Sequence, residues 1–207
     1  MSTRGERGRE LLANATSKFE ELKSQTHDPD VQAISDLRVL ARSAMDWLEE
    51  GDDFEAAHQL VDRIGGYVRT NHPESCKVHY ESGTYYDTCP VLLGHSRVGL
   101  SPGLIIRESK CSICDEDPWT CDHISGETYE GERAYRIVTR ADILEVSLVA
   151  RPAQPDARIT KASIDESGIR QALGAEYVPG MTLFCDRCLT SCPGLNRAAE
   201  ATRRLPG

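Results

Sequence analysis

The sequence predicts an α+β protein: an N-terminal helical hairpin or three-helix unit, then a small zinc-stapled β-barrel or β-sheet domain, then a short Cys-rich C-terminal segment. Three observations carry this expectation. Apolar residues recur at helical spacing through about the first 70 residues. From about residue 76, short runs rich in β-branched residues and bounded by turn residues replace that stripe. Cysteines gather in two groups, CSICDEDPWTCDH and CDRCLTSC. The boundaries that follow are 1–72 for the helices, 73–160 for the β region with its metal loop at 111–123, and 161–207 for the C-terminal segment.

The first helix is read from Leu11, Leu12, Ala15, Phe19 and Leu22. After the break at His27-Asp28-Pro29, Asp28 is the expected N-cap, with Pro29 at the first helical position. Val31, Ile34, Leu37, Leu40, Ala41, Ala44, Met45 and Leu48 then form an apolar stripe that Gly51 ends. Asp52 or Asp53 caps a third helix whose Phe54, Ala57, Leu60, Val61, Ile64 and Tyr67 face inward. Short connections make such helices antiparallel neighbours.

Four runs read as strands: Val91-Leu92-Leu93, Leu104-Ile105-Ile106, Tyr135-Arg136-Ile137-Val138 and Val146-Ser147-Leu148-Val149. The first cysteine group lies between two of them and is expected as a loop insertion; Arg151-Pro152-Ala153-Gln154-Pro155 closes the β region. Asp165 is expected to cap a short helix carrying Ile169, Ala172 and Leu173, and Asn196 to Arg204 to form a terminal helix.

Cys111, Cys114, Cys121 and His123 have the spacing that a tetrahedral zinc ion requires. Cys-x-x-Cys grips the ion from a tight turn, and Cys-x-His sets two more ligands on one side of an extended segment. Four protein ligands leave no position for water, so the expected role is to staple a loop that lacks a core. Cys185, Cys188 and Cys192 offer three ligands for a second zinc, with the fourth left open among Cys76, Cys89, His79 and His95.

The formal charge of −9 makes an acidic surface that repels phosphate backbones, so nucleic acid is not the expected partner. Arg197, Arg203 and Arg204 make only a local basic patch, read as a solvated helix face. The charged start MSTRGERGRE resembles no signal peptide, and no run approaches the ~18 apolar residues of a membrane span. A cytoplasmic chain is expected, its 8 cysteines serving metals rather than disulfides.

Glu145-Val146-Ser147-Leu148-Val149, followed by Pro152-Ala153-Gln154-Pro155-Asp156-Ala157, resembles the most recognisable stretch of the tailed-phage prohead protease family. That family is similar to the herpesvirus capsid-maturation protease, a β-barrel with a serine nucleophile. The resemblance runs from Leu100 to Ile159 and implies a nucleophile at Ser101, in Ser101-Pro102-Gly103, with the cysteine loop as an insertion. A triad on this pattern would join Ser101, His95 and Glu145, with His79 as the other candidate base. His95, in Val91-Leu92-Leu93-Gly94-His95, stands 6 residues before Ser101, nearer than the family's spacing.

The leading expectation is therefore a zinc-stabilised, non-catalytic protein. It would engage a protein partner in assembly, in a phage or phage-defence setting, using a prohead-protease-like scaffold as a platform. A serine peptidase acting on an assembly partner is the alternative, and a nucleic-acid-associated zinc protein the third class.

Overall fold

Three N-terminal helices make the core of the computed structural model, which describes residues 3–25, 29–49, 51–185 and 188. Helix α1 spans Arg4–Ser24 and opens on a capping box: the Thr3 hydroxyl accepts from the Glu6 N–H, and the Glu6 carboxylate accepts from the Thr3 N–H. Helix α2 spans Val31–Trp47, capped by Asp30, whose carboxylate accepts from the Gln32 N–H at 3.1 Å. The expected cap, Asp28, lies outside the described residues; the helix begins beyond Pro29 because Asp30 supplies the capping oxygen. Helix α3 spans Phe54–Asn71 with Asp53 at its N-cap.

The predicted stripes meet. Phe19, Ile34, Leu37, Met45, Leu48, Leu60, Val61, Ile64 and Val68 form one buried cluster. Tyr67 stays half-buried at its edge and packs edge-on against Phe19, with ring centroids 5.5 Å apart. Helices α1 and α2 approach closely at Gly8, where an added Cβ would meet Leu48 Cγ at 2.6 Å.

A 3₁₀ turn, Pro73–Cys76, leads to strands β1, His79–Glu81, and β2, Thr84–Asp87. Ser82 and Gly83, at φ 51° and 82°, make the tight turn between them. Val91-Leu92-Leu93, expected as a strand, lies instead in helix α4, Pro90–Ser96. Pro90 begins a helix readily after Cys89, and Val91 and Gly94, one turn apart, both face the core. Four apolar residues in a row cannot by themselves separate a short buried helix from a strand.

Strands β3, Gly99–Cys111, and β6, Arg136–Val149, pair antiparallel along their whole length, with register breaks near Gly103, Ile106 and Glu108. Strands β4, Thr128–Tyr129, and β5, Glu132–Arg133, form a small hairpin between them. Strand β7, Ala162–Ser163, joins the first hairpin in the order β1-β2-β7. The other three predicted strands thus merge into one long ribbon, and the described residues contain no closed barrel, only sheets of 3, 2 and 2 strands. Helix α5, Glu166–Leu173, is capped by Asp165 as expected. The expected terminal helix at 196–204, with Arg197, Arg203 and Arg204, lies outside the described residues.

The ribbon's base is fastened to α2 by buried charge. The Arg158 guanidinium donates to the carbonyls of Ala150 at 2.7 Å, Pro155 at 3.2 Å and Arg97 at 3.3 Å, and pairs with Asp46 and Glu49. Arg97 bridges the same two carboxylates, and Arg42 donates to the Ile159 carbonyl at 2.9 Å. Burial pushes the Asp46 carboxyl up despite its three arginines. Burial also acts to raise Glu49, but the hydrogen bonds and charges of Arg97 and Arg158 outweigh it and hold that carboxyl low. Among the described residues, no helix is long and apolar enough to cross a membrane.

Candidate metal centre

The distal end of the ribbon is a loop with almost no core. Cys111 and Ala134 are its buried apolar residues, whereas Trp119 is 78 % exposed and Ile124 67 %. Hydrophobic burial scales with area removed from water, so this cap gains little from it. Cys111 closes the ribbon opposite Arg136 and starts a knuckle. The Cys111 N–H donates to the Glu116 carbonyl at 2.7 Å, the Asp115 N–H to the Cys111 carbonyl at 3.1 Å, and the Ile113 N–H to Cys111 Sγ at 3.4 Å. Asp115 turns the chain with φ 61°, a left-handed conformation that Asp tolerates better than most residues.

On the return path Asp117 organises a second turn. Its carboxylate accepts from the Trp119 N–H at 2.9 Å and its carbonyl from the Cys121 N–H at 3.1 Å. The His123 ring stands edge-on to Tyr129, centroids 4.7 Å apart, and the Tyr129 hydroxyl accepts from the Ile124 N–H at 2.8 Å. These contacts bring the ligand atoms of Cys111, Cys114, Cys121 and His123 within 4.8 Å of one another. A tetrahedron with ~2.3 Å arms places its ligand atoms roughly 3.8 Å apart, so a small contraction completes it.

The donor set fits a metal. His123 Nδ1 is buried with no hydrogen-bond partner, a costly state that coordination would relieve. The N–H groups of Cys114 and Ile113 hold the Cys111 thiol below its ordinary range. The Glu116 N–H favours the Cys114 thiolate, but burial and the neighbouring Cys111 sulfur push that thiol up. Two sulfurs this close resist sharing two negative charges, and a cation between them removes the conflict. The cluster could hold a metal ion; with four protein ligands it would be a closed site.

The other expected residues are spread over three elements. Ser101 and Ser147 face each other across the ribbon, and Glu145 lies opposite Gly103. The Ser147 hydroxyl reaches Glu145 Oε1 at 3.5 Å. His95, on α4, is engaged through both ring nitrogens: Nδ1 lies 2.6 Å from the Val91 carbonyl and Nε2 lies 3.1 Å from His58 Nε2. Among the described residues no hydrogen bond joins Ser101 to His95 or to Glu145. His79 is exposed and lies 3.6 Å from Glu81.

Cys185 and Cys188 lie near Cys76 and Cys89 beside the helical core, and Cys192 lies outside the described residues. Burial pushes the Cys188 thiol up to about 12, with the thiols of Cys89, Cys185 and Cys76 adding to the effect. Among the described residues, the Cys111 group alone has three or more ligand atoms within 4.8 Å of one another. His58, absent from the sequence expectations, gave no signal because a single histidine on an apolar helix face reads as core. No family model, curated protein or solved structure matches this chain.

Proposed function

We propose that this chain is a zinc-binding, non-catalytic interaction protein that presents a metal-capped β-ribbon to a protein partner during assembly. One observation carries the reading. In the proximal ribbon Leu100 pairs with Leu148 and Pro102 with Val146, so these four side chains share one face. Val146 is 58 % exposed and Leu148 70 %, with Leu144 close by at 66 %. The other face carries Ser101, Ser147 and Glu145. Large apolar residues gathered on one exposed face mark an interaction surface more often than scattered single ones do. The partner this face suits is a protein that offers a complementary apolar surface.

The alternative reading, a serine peptidase of the prohead protease type, draws on the Glu145–Val149 and Pro152–Ala157 resemblance. It requires a base for Ser101, and the engagement of both His95 ring nitrogens favours the non-catalytic reading. The −9 charge continues to oppose nucleic acid.

One experiment separates the readings. A photo-crosslinking amino acid placed at Val146 or Leu148 in the native host should give one defined protein adduct. The same group at Ser147, on the opposite face, should give none. A fluorophosphonate probe should leave Ser101 unlabelled. Labelling of Ser101 together with no adduct from Val146 or Leu148 would replace the interaction reading by the peptidase.

A further inference from the structure

We propose that Cys76, Cys89, Cys185 and Cys188 bind a second zinc ion, which fastens the C-terminal segment to the helical core. The backbone already brings the segments together. The Val78 N–H donates to the Leu183 carbonyl at 2.8 Å, Lys77 pairs with Phe184, and the Cys185 N–H donates to the Cys76 carbonyl at 2.9 Å. Cys76 and Cys89 bracket the β1–β2 hairpin, so their thiols enter from its two ends, and Cys76, Cys89 and Cys185 line one cleft of about 90 Å³. Cys185-x-x-Cys188 supplies the same turn spacing as Cys111-x-x-Cys114.

Two features around the cleft suit a zinc–thiolate centre. Helix α3 makes room for a sulfur at Gly65: a Cβ there would stand 2.8 Å from Cys188 Sγ and 3.0 Å from Val91 Cγ1. Arg38 and Arg69 act electrostatically on Cys76, and each has a buried Nε with no hydrogen-bond partner. Four thiolates around one Zn²⁺ carry a net charge of about −2, which two arginines complement. Metal binding here is acid–base chemistry alone: each thiol releases its proton to solvent and its sulfur donates a lone pair to the ion. Among the described residues only the distal group forms a compact ligand cluster, so zinc binding here would draw the four sulfurs together. Cys192 is not required as a ligand.

Metal content and thiol labelling of the full chain test this. Elemental analysis should find two zinc ions per chain, falling to one in Cys89→Ser and to one in Cys114→Ser, whereas Cys192→Ser keeps both. Alkylation of the native wild-type chain should leave Cys76, Cys89, Cys185 and Cys188 protected until a chelator is added. This reading survives even if Cys89→Ser fails to fold, because it uses unmodified protein. A Cys76–Cys89 disulfide, or labelling of Cys76 or Cys89 in native wild type whether one zinc or none is found, would overturn the proposal. Loss of protection at Cys111, Cys114 and Cys121 alone would count against the distal centre and leave this one standing.

Discussion

Cys114 is the exposed ligand of the distal centre, so its replacement isolates the metal's contribution from packing. Cys114→Ser should lower zinc affinity by well over the ~10–100-fold that loss of an outer-shell partner costs. Limited chymotrypsin digestion should then cut after Trp119, inside the loop, where wild-type protein resists; equal resistance would show that the metal does not hold the loop. The spacing of these ligands made them legible in the sequence, because four donors within 13 residues need no tertiary information to converge. His58 was not legible, because its partner His95 comes from another helix. Nδ1–H of His95 donates to the Val91 carbonyl, so its Nε2 accepts from the neutral His58 ring. Burial, then the neighbouring His95, holds the His58 pKa below the ordinary 6.5, with Glu55 and Asp62 opposing and Arg97 assisting. Below pH 6.5 the unfolded chain takes up this proton while folded His58 stays neutral, so stability falls as pH falls, until the folded residue also protonates. His58→Gln should flatten that decline, read as urea midpoints between about pH 6.5 and pH 5 against wild type. An unchanged slope would remove His58 as its source.

At the scale of elements, the long β3–β6 ribbon sets the question of how two strands with little cover persist in water. Isolated two-stranded hairpins are marginal, and here the ribbon is held at one end by the Arg158 region and at the other by the cysteine loop. Its apolar face contributes little to the fold of the chain alone. Val146→Lys with Leu148→Lys should therefore shift the melting temperature by no more than about 4 °C, since exposed substitutions cost within ~0.5 kcal/mol each. The same pair should abolish crosslinking from neighbouring Leu144; a large drop in melting temperature would show instead that the face is covered within the folded chain. Short runs rich in β-branched residues and bounded by turn residues made strand segments legible, but not their union into one ribbon, because Arg107–Ser109 carries polar residues and irregular register through the middle. Pro90–Ser96 was misjudged for the opposite reason. Its apolar run fits either period, and what selects the helix is contact with α2 and α3, which no local pattern encodes.

Over the whole molecule, apolar burial is concentrated in α1–α3, and the rest of the chain is attached to that core by specific polar fasteners. The Arg158 network is the largest of these among the described residues. It was illegible in the sequence: Arg42, Asp46 and Glu49 lie outside the apolar stripe of their helix, while Arg97 and Arg158 come from segments far along the chain. Its energetics follow from burial. The Arg158 side chain is 2 % exposed and the Asp46 side chain 4 %, so water cannot replace a lost partner. Arg158→Ala would strand three backbone carbonyls and weaken the pairing of both carboxylates, a change that costs about 3–5 kcal/mol in buried pairs. For a chain of this size that corresponds to a melting temperature lower by roughly 10 °C. The effect should be nearly independent of salt, because buried pairs are little screened. Arg158→Met, which keeps the apolar stem but neither the charge nor the donors, should recover only a small part of the loss. If Arg158→Met instead matched wild type, packing of the stem would be the fastener, and the ionic account of how the ribbon is anchored to α2 would have to be given up.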